Sequence, residues 1–141
     1  MLKYLDIPPT DPAFFPSDLI IEKLHPQVLF VAGTNEKGIH GSGSAKTARV
    51  HFGAQLGIGE GVTGQTYALP TCRAPGVPLQ LPEIEKYVAR FKQFVLDNPL
   101  MYFAVTAVGT GYAGYDHHHI APMFKGIPRC WFPDNWKPYI L

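Results

Sequence analysis

Val28-Leu29-Phe30-Val31-Ala32 runs directly into Gly33-Thr34-Asn35-Glu36-Lys37-Gly38-Ile39-His40-Gly41-Ser42-Gly43-Ser44-Ala45. The first five residues are apolar on both faces, as a central parallel strand requires. Nine of the 14 glycines fall between Gly33 and Gly64. Glycine costs backbone entropy and buries no side chain, so this density needs a geometric reason. Glycines at a strand end turn the chain sharply and bare its N–H groups against a following helix N-terminus, which suits an anion. A second run of this kind, Val108-Gly109-Thr110-Gly111-Tyr112-Ala113-Gly114, follows another strong strand, Met101 to Val108. Two such loops at the ends of buried strands predict one crevice for a nucleotide or phosphate.

Working outward, Ala45, Ala48 and Phe52 recur at helical spacing, so a helix is predicted from Gly43 to Phe52, ended by Gly53. Gly57 to Gly64 reads as a loop too rich in glycine for a regular element. Gln65 to Leu69 reads as a strand stopped by Pro70, and residues 71–80 as a connection. The clearest helix spans Leu81 to Asn98. Pro82 suits its first turn, Glu83 and Glu85 favour its positive end, and Pro99 stops it. Its apolar stripe is Ile84, Tyr87, Val88, Phe91, Phe94 and Val95. A short helix is expected near His117, including Ile120 and Phe124. Cys130 to Phe132 is expected as an edge strand, followed by a tail packed through Trp136, Tyr139 and Ile140.

Before residue 28, Pro8-Pro9, Pro12, Pro16 and Pro26 punctuate the chain. Ser17 to Leu24 reads equally as a short helix capped by Ser17 or as a strand around Ile20-Ile21. Phe14 and Phe15 are expected to pack on the domain. The order of elements predicts an α/β fold with a mixed, mostly parallel sheet flanked by helices. Residues 1–27 form an extension packed on a single domain over 28–141.

At 141 residues the chain is long enough for a real core, and its formal charge of +1 gives no argument for general nucleic-acid binding. No long uncharged apolar run predicts a membrane span, and Met1 to Pro9 lacks the shape of a secretory signal. Cys72 and Cys130 admit a pair, but two isolated cysteines fit reduced thiols and a cytoplasmic protein.

The triphosphate P-loop pattern is missing, because Ala45 precedes Lys46-Thr47 where that motif needs glycine. The dinucleotide fingerprint fails too, since Gly38, Gly41 and Gly43 carry its spacing in reverse. Several motifs in order do match something. Gly33-Thr34-Asn35, His40 to Ala45, Ala48-Arg49 and Phe52-Gly53 resemble the ligand loop of the macrodomain superfamily. Val108 to Gly111 resembles that superfamily's second phosphate loop. Tyr67-Ala68-Leu69-Pro70-Thr71, with the long helix after it, resembles the branch of terminal ADP-ribose glycohydrolases. The chain is also similar to a family of small bacterial and phage proteins with this set of motifs. The resemblance covers roughly residues 28–125.

Macrodomains bind ADP-ribose and its derivatives, and some hydrolyse bonds to it. The resemblance therefore implies a small-molecule partner of the ADP-ribose class and no resident cofactor. It implies that Asn35, beside Gly33, holds the ligand's polar edge. Gly41, Ser42, Gly43 and Ser44 would offer amides to the diphosphate, and Gly109, Thr110 and Gly111 would close from the other side. The catalytic lysine and acid of the glycohydrolase branch are replaced here by Thr71 and, near its second loop, Ala113.

Each candidate also has a plainer reading. Asn35 is a turn former, and His40 either bonds phosphate or is an exposed loop residue. Lys46 and Arg49 suit a solvated helix face, and Thr106 a core position satisfied by backbone. Asp116 is either the N-cap of the helix at His117 or a carboxylate near the ribose, even a general base. Tyr112 and Tyr115 either stack on adenine or cover the core. Consecutive His117, His118 and His119 point about 100° apart on a helix, so they cannot all reach one ion, and no metal site is expected. Cys72 has no neighbouring pattern that marks an activated nucleophile. Three functions follow: capture of a nucleotide signal, hydrolysis using Asn35, His40 or Asp116, or a structural role with a possible homo-oligomer through the aromatic ends.

Overall fold

The structure is a computed structural model and describes residues 9 and 11–141. The reading of the first eight residues, Pro8 included, lies outside them. In chain order the strands are β1 (Ala13–Phe15), β2 (Val28–Asn35), β3 (Gly61–Thr63), β4 (Thr66–Ala74), β5 (Val77–Pro78), β6 (Tyr102–Val105) and β7 (Cys130–Pro133). The helices are α1 (Gly43–His51), α2 (Leu81–Asp97), α3 (His117–Ile120) and α4 (Lys137–Ile140). The sheet order is β1-β7-β6-β2-β4-β3, with β5 paired to β4. The pairs β1/β7, β7/β6, β6/β2 and β2/β4 are parallel, and β3 and β5 join β4 antiparallel. This is a mixed, mostly parallel α/β sheet.

β2 is buried on both faces, and its alternation divides the core. Leu29 and Val31 join the α2 side, with Tyr67, Leu69, Val88, Phe91, Phe103, Phe132 and Trp136. Val28, Phe30 and Ala32 join the other side, with Ala48 and Phe52 of the α1 region, Ile21, Leu24 and Trp131. Phe30 and Phe52 stack with ring centroids 4.5 Å apart. Along α2 the predicted stripe packs inward: Ile84, Val88, Phe91 and Val95 are buried, while Tyr87 and Phe94 are half-buried.

Six expectations need correction. Ser17 to Leu24 is neither helix nor strand; backbone carbonyls of Leu24, His25 and Val28 are instead gathered by Gln65 Nε2. Pro70 does not stop β4. β3 pairs with residues 66–68 of β4 and β5 pairs with it only from Cys72 onward, so on that edge no strand asks Pro70 for an N–H. Residues 71–80 therefore hold the end of β4 and the β5 hairpin. The supposed loop of residues 57–64 contains β3, and β6 ends at Val105, short of Val108. β7 is not an edge strand: β1, from the expected extension, lies outside it.

The glycine density has two structural origins. A Cβ at Gly59 would stand 2.5 Å from the Asn35 carbonyl oxygen, and one at Gly64 would stand 2.5 Å from the Gly53 carbonyl oxygen. Gly38 meets the Gly57 backbone equally closely. These glycines let the loops on either side of α1 pack backbone on backbone. At Gly41, Gly43 and Gly111 a Cβ would meet nothing within 4 Å.

Candidate functional site: a cavity between two glycine-rich loops

β2 outruns its neighbour. Its pairing with β6 ends at Val31↔Val105, while its pairing with β4 continues to Asn35. Beyond Val31 the β6 side of β2 is open, and the chain crosses there from one flank of β2 to the other. Such a switch point leaves a crevice at the carboxyl ends of parallel strands. Thr106 closes its floor, donating N–H and Oγ1 to the Val31 carbonyl at 3.2 and 2.7 Å.

The crevice is a cavity of about 410 Å³, within the range of small-molecule sites. Of the residues singled out from the sequence, it brings together Gly33, Asn35, Gly41, Ser42, Gly43, Ser44, Gly109, Thr110, Gly111 and Tyr112. Ser42 is extended, and Gly43, at φ 60°, reverses the chain into α1. Few side chains other than hydrogen tolerate that conformation. The Ser42 hydroxyl makes no cap hydrogen bond, and the first turn carries no acidic residue. The positive end of α1 is thus open. Among the described residues, the amides of Gly41, Ser42, Gly43 and Ser44 have no intramolecular acceptor, nor do those of Gly109, Gly111, Tyr112 and Ala113. Ser44 Oγ accepts from the Gly33 amide at 3.1 Å, fixing the start of α1 against the open edge of β2.

Several expected roles are corrected by geometry. Thr110 lines the cavity, but its amide and Oγ1 both donate to the Ala107 carbonyl, at 3.3 and 2.7 Å. Asn35 lines it while its side-chain amide clamps Ile39, donating to the carbonyl at 2.9 Å and accepting from the N–H at 3.1 Å. The turn-forming reading describes those bonds. His40 is neither in the cavity nor exposed. It is 1% exposed, and its Nε2 faces the Ile58 carbonyl at 3.1 Å. Its own carbonyl accepts from Arg49 Nε at 3.1 Å. Tyr115 lies off the cavity, donating its hydroxyl to the Leu79 carbonyl at 2.6 Å. Asp116 holds the N-cap position of α3 without a side-chain cap bond and is exposed, also away from the cavity.

Reading the sequence alone leaves out Ile39, Pro75, Gly76, Ala107 and Val108 as lining, and it reads Thr71, Cys72 and Thr106 differently. The signal for them lies in strand register, which no local pattern carries. Burial pushes the Cys72 thiol up, and a hydrogen bond from Thr71 pulls it only partly back. The group stays protonated near neutral pH and is a poor nucleophile. Cys72 and Cys130 are both free and buried.

A second cavity of about 510 Å³ abuts the first, sharing Ser44, Thr106 and Ala107 with it. Its walls are largely apolar, with Phe15, Leu19, Ile21 and Phe30, and include Asn135 and His117. Among the described residues, no helix is long and apolar enough to cross a membrane. No family model, no curated protein and no solved structure matches the chain.

Proposed function

We propose that the crevice captures an ADP-ribose-type nucleotide diphosphate and holds it without turnover, as a macrodomain-like binding module. The observation that carries this reading is the set of unengaged amides, at 41–44 and again at 109, 111, 112 and 113, on one cavity. Among the described residues no lysine or arginine lines that cavity, so a diphosphate there is held by N–H groups and the α1 dipole, as helix N-termini hold anions. The adjoining apolar cavity has the character to take the base, with Thr106 and Ala107 between the two subsites. Binding is favoured over hydrolysis because, among the described residues, the only titratable side chains on the lining are Cys72 and Tyr112. Neither suits general acid–base work near neutral pH. A cytoplasmic setting and sequestration of a nucleotide signal belong to the same proposal.

Calorimetric titration with ADP-ribose, ADP and NAD tests it. Saturable one-to-one binding of ADP-ribose is expected, with no free ADP-ribose released from an ADP-ribosylated peptide incubated with the chain. Release of ADP-ribose would replace capture by hydrolysis. Silence with all three nucleotides would remove both readings.

A further inference from the structure

The three consecutive histidines part company in the fold. His117 turns inward, where its Nδ1 accepts from Trp136 Nε1 at 2.9 Å and its Nε2 stands 3.5 Å from Asn135 Nδ2. His118 and His119 remain outside, and their ring centroids are only 4.0 Å apart. Asp116, one residue before the helix, brings Oδ2 within 3.9 Å of His118 Nδ1. One ligand atom from each of Asp116, His118 and His119 lies within 4.8 Å of the others. The helical argument against a shared ion therefore holds for the trio but not for this set, in which a carboxylate replaces the imidazole of His117.

The backbone that carries them is pinned on both sides. The Tyr115 hydroxyl is anchored to the Leu79 carbonyl, His117 is anchored to Trp136, and the His119 amide closes on the Asp116 carbonyl at 3.0 Å. The three side chains are exposed, and none packs into the core. Small rotamer changes suffice to bring their atoms to the roughly 3–4 Å separations that metal–ligand bonds of about 2 Å impose.

We propose that Asp116, His118 and His119 form a binding site for a divalent late first-row cation, Zn²⁺, Ni²⁺ or Cu²⁺, completed by water. Two imidazoles and one carboxylate favour these ions over Mg²⁺ and Ca²⁺, which prefer all-oxygen shells. None of the three residues lines the nucleotide cavity, so the site stands or falls separately from the reading above.

The test is calorimetric titration of the untagged chain with Zn²⁺ at about pH 7.5, with Co²⁺ absorption as a second readout. One Zn²⁺ per chain is expected. His118→Ala and His119→Ala should each weaken binding by roughly tenfold or more, and the double variant should abolish it. Asp116→Asn should weaken it less, and His51→Ala, an exposed histidine elsewhere, should leave it unchanged. Far-UV circular dichroism checks that each variant keeps its fold. No Zn²⁺ binding to the parent chain, or binding that survives in the double variant, overturns the proposal. Equal affinity for Mg²⁺ does so as well.

Discussion

The glycines around α1 and those at its entrance are the same residue used for opposite ends. Gly59 and Gly64 are needed because a backbone stands where a side chain would go. Gly41, Gly43 and Gly111 face open space. The first group is consumed by the fold, and the second leaves N–H groups available at the mouth of a cavity. Glycine density alone therefore marks close packing as readily as it marks a ligand. What separates the two is what a Cβ would meet and whether a cavity lies beside the residue.

The comparison predicts a sharp division between stability and binding. Gly64→Ala should have the largest effect. Its new methyl would press on the Gly53 carbonyl at 2.5 Å, and the residue has φ 58°. A loss of about 3 kcal/mol or more in chemical denaturation is expected for such a clash. A small loss would show that the loops yield easily. Gly43→Glu should do the reverse. The left-handed position costs about 1 kcal/mol, offset in part by placing an acid at the positive end of α1. Binding of ADP-ribose should nevertheless fall roughly a hundredfold or more, which is about 2.7 kcal/mol, because the added carboxylate meets the diphosphate. Calorimetry beside a melting curve separates the two effects.

Smaller changes sharpen the boundary. Ser44→Ala removes the acceptor of the Gly33 amide and should cost about 1 kcal/mol, read by denaturant midpoint. Gly41→Ala, with open space around its Cβ, should change stability by less than about 0.5 kcal/mol. A large loss there would place Gly41 with the packing glycines.

Local pattern was enough for the elements that frame the site. The apolar run of β2, the Ala45-Ala48-Phe52 spacing of α1 and the stripe of α2 all read correctly, because burial imposes their periods. Registers were not legible. Pro70 is harmless within β4 only because neither β3 nor β5 reaches it, and nothing near Pro70 in sequence says so. β3 hides in a glycine-rich stretch because its backbone pairs while its side chains carry little pattern. His40 illustrates the same gap beside the site: the loop next to it is exposed, yet the fold turns its ring under against Ile58. The second cavity escapes the sequence entirely, since it joins Phe15, Phe30 and Asn135 from distant parts of the chain.

The most direct test is an amide NMR titration of the ¹⁵N-labelled chain with ADP-ribose. The account predicts that resonances of Gly41 to Ser44, Gly109, Gly111, Tyr112 and Ala113 move together and saturate, while those of Gly57, Gly59 and Gly64 stay in place. Saturating ligand that leaves the first group unmoved, or that shifts both groups alike, would contradict it.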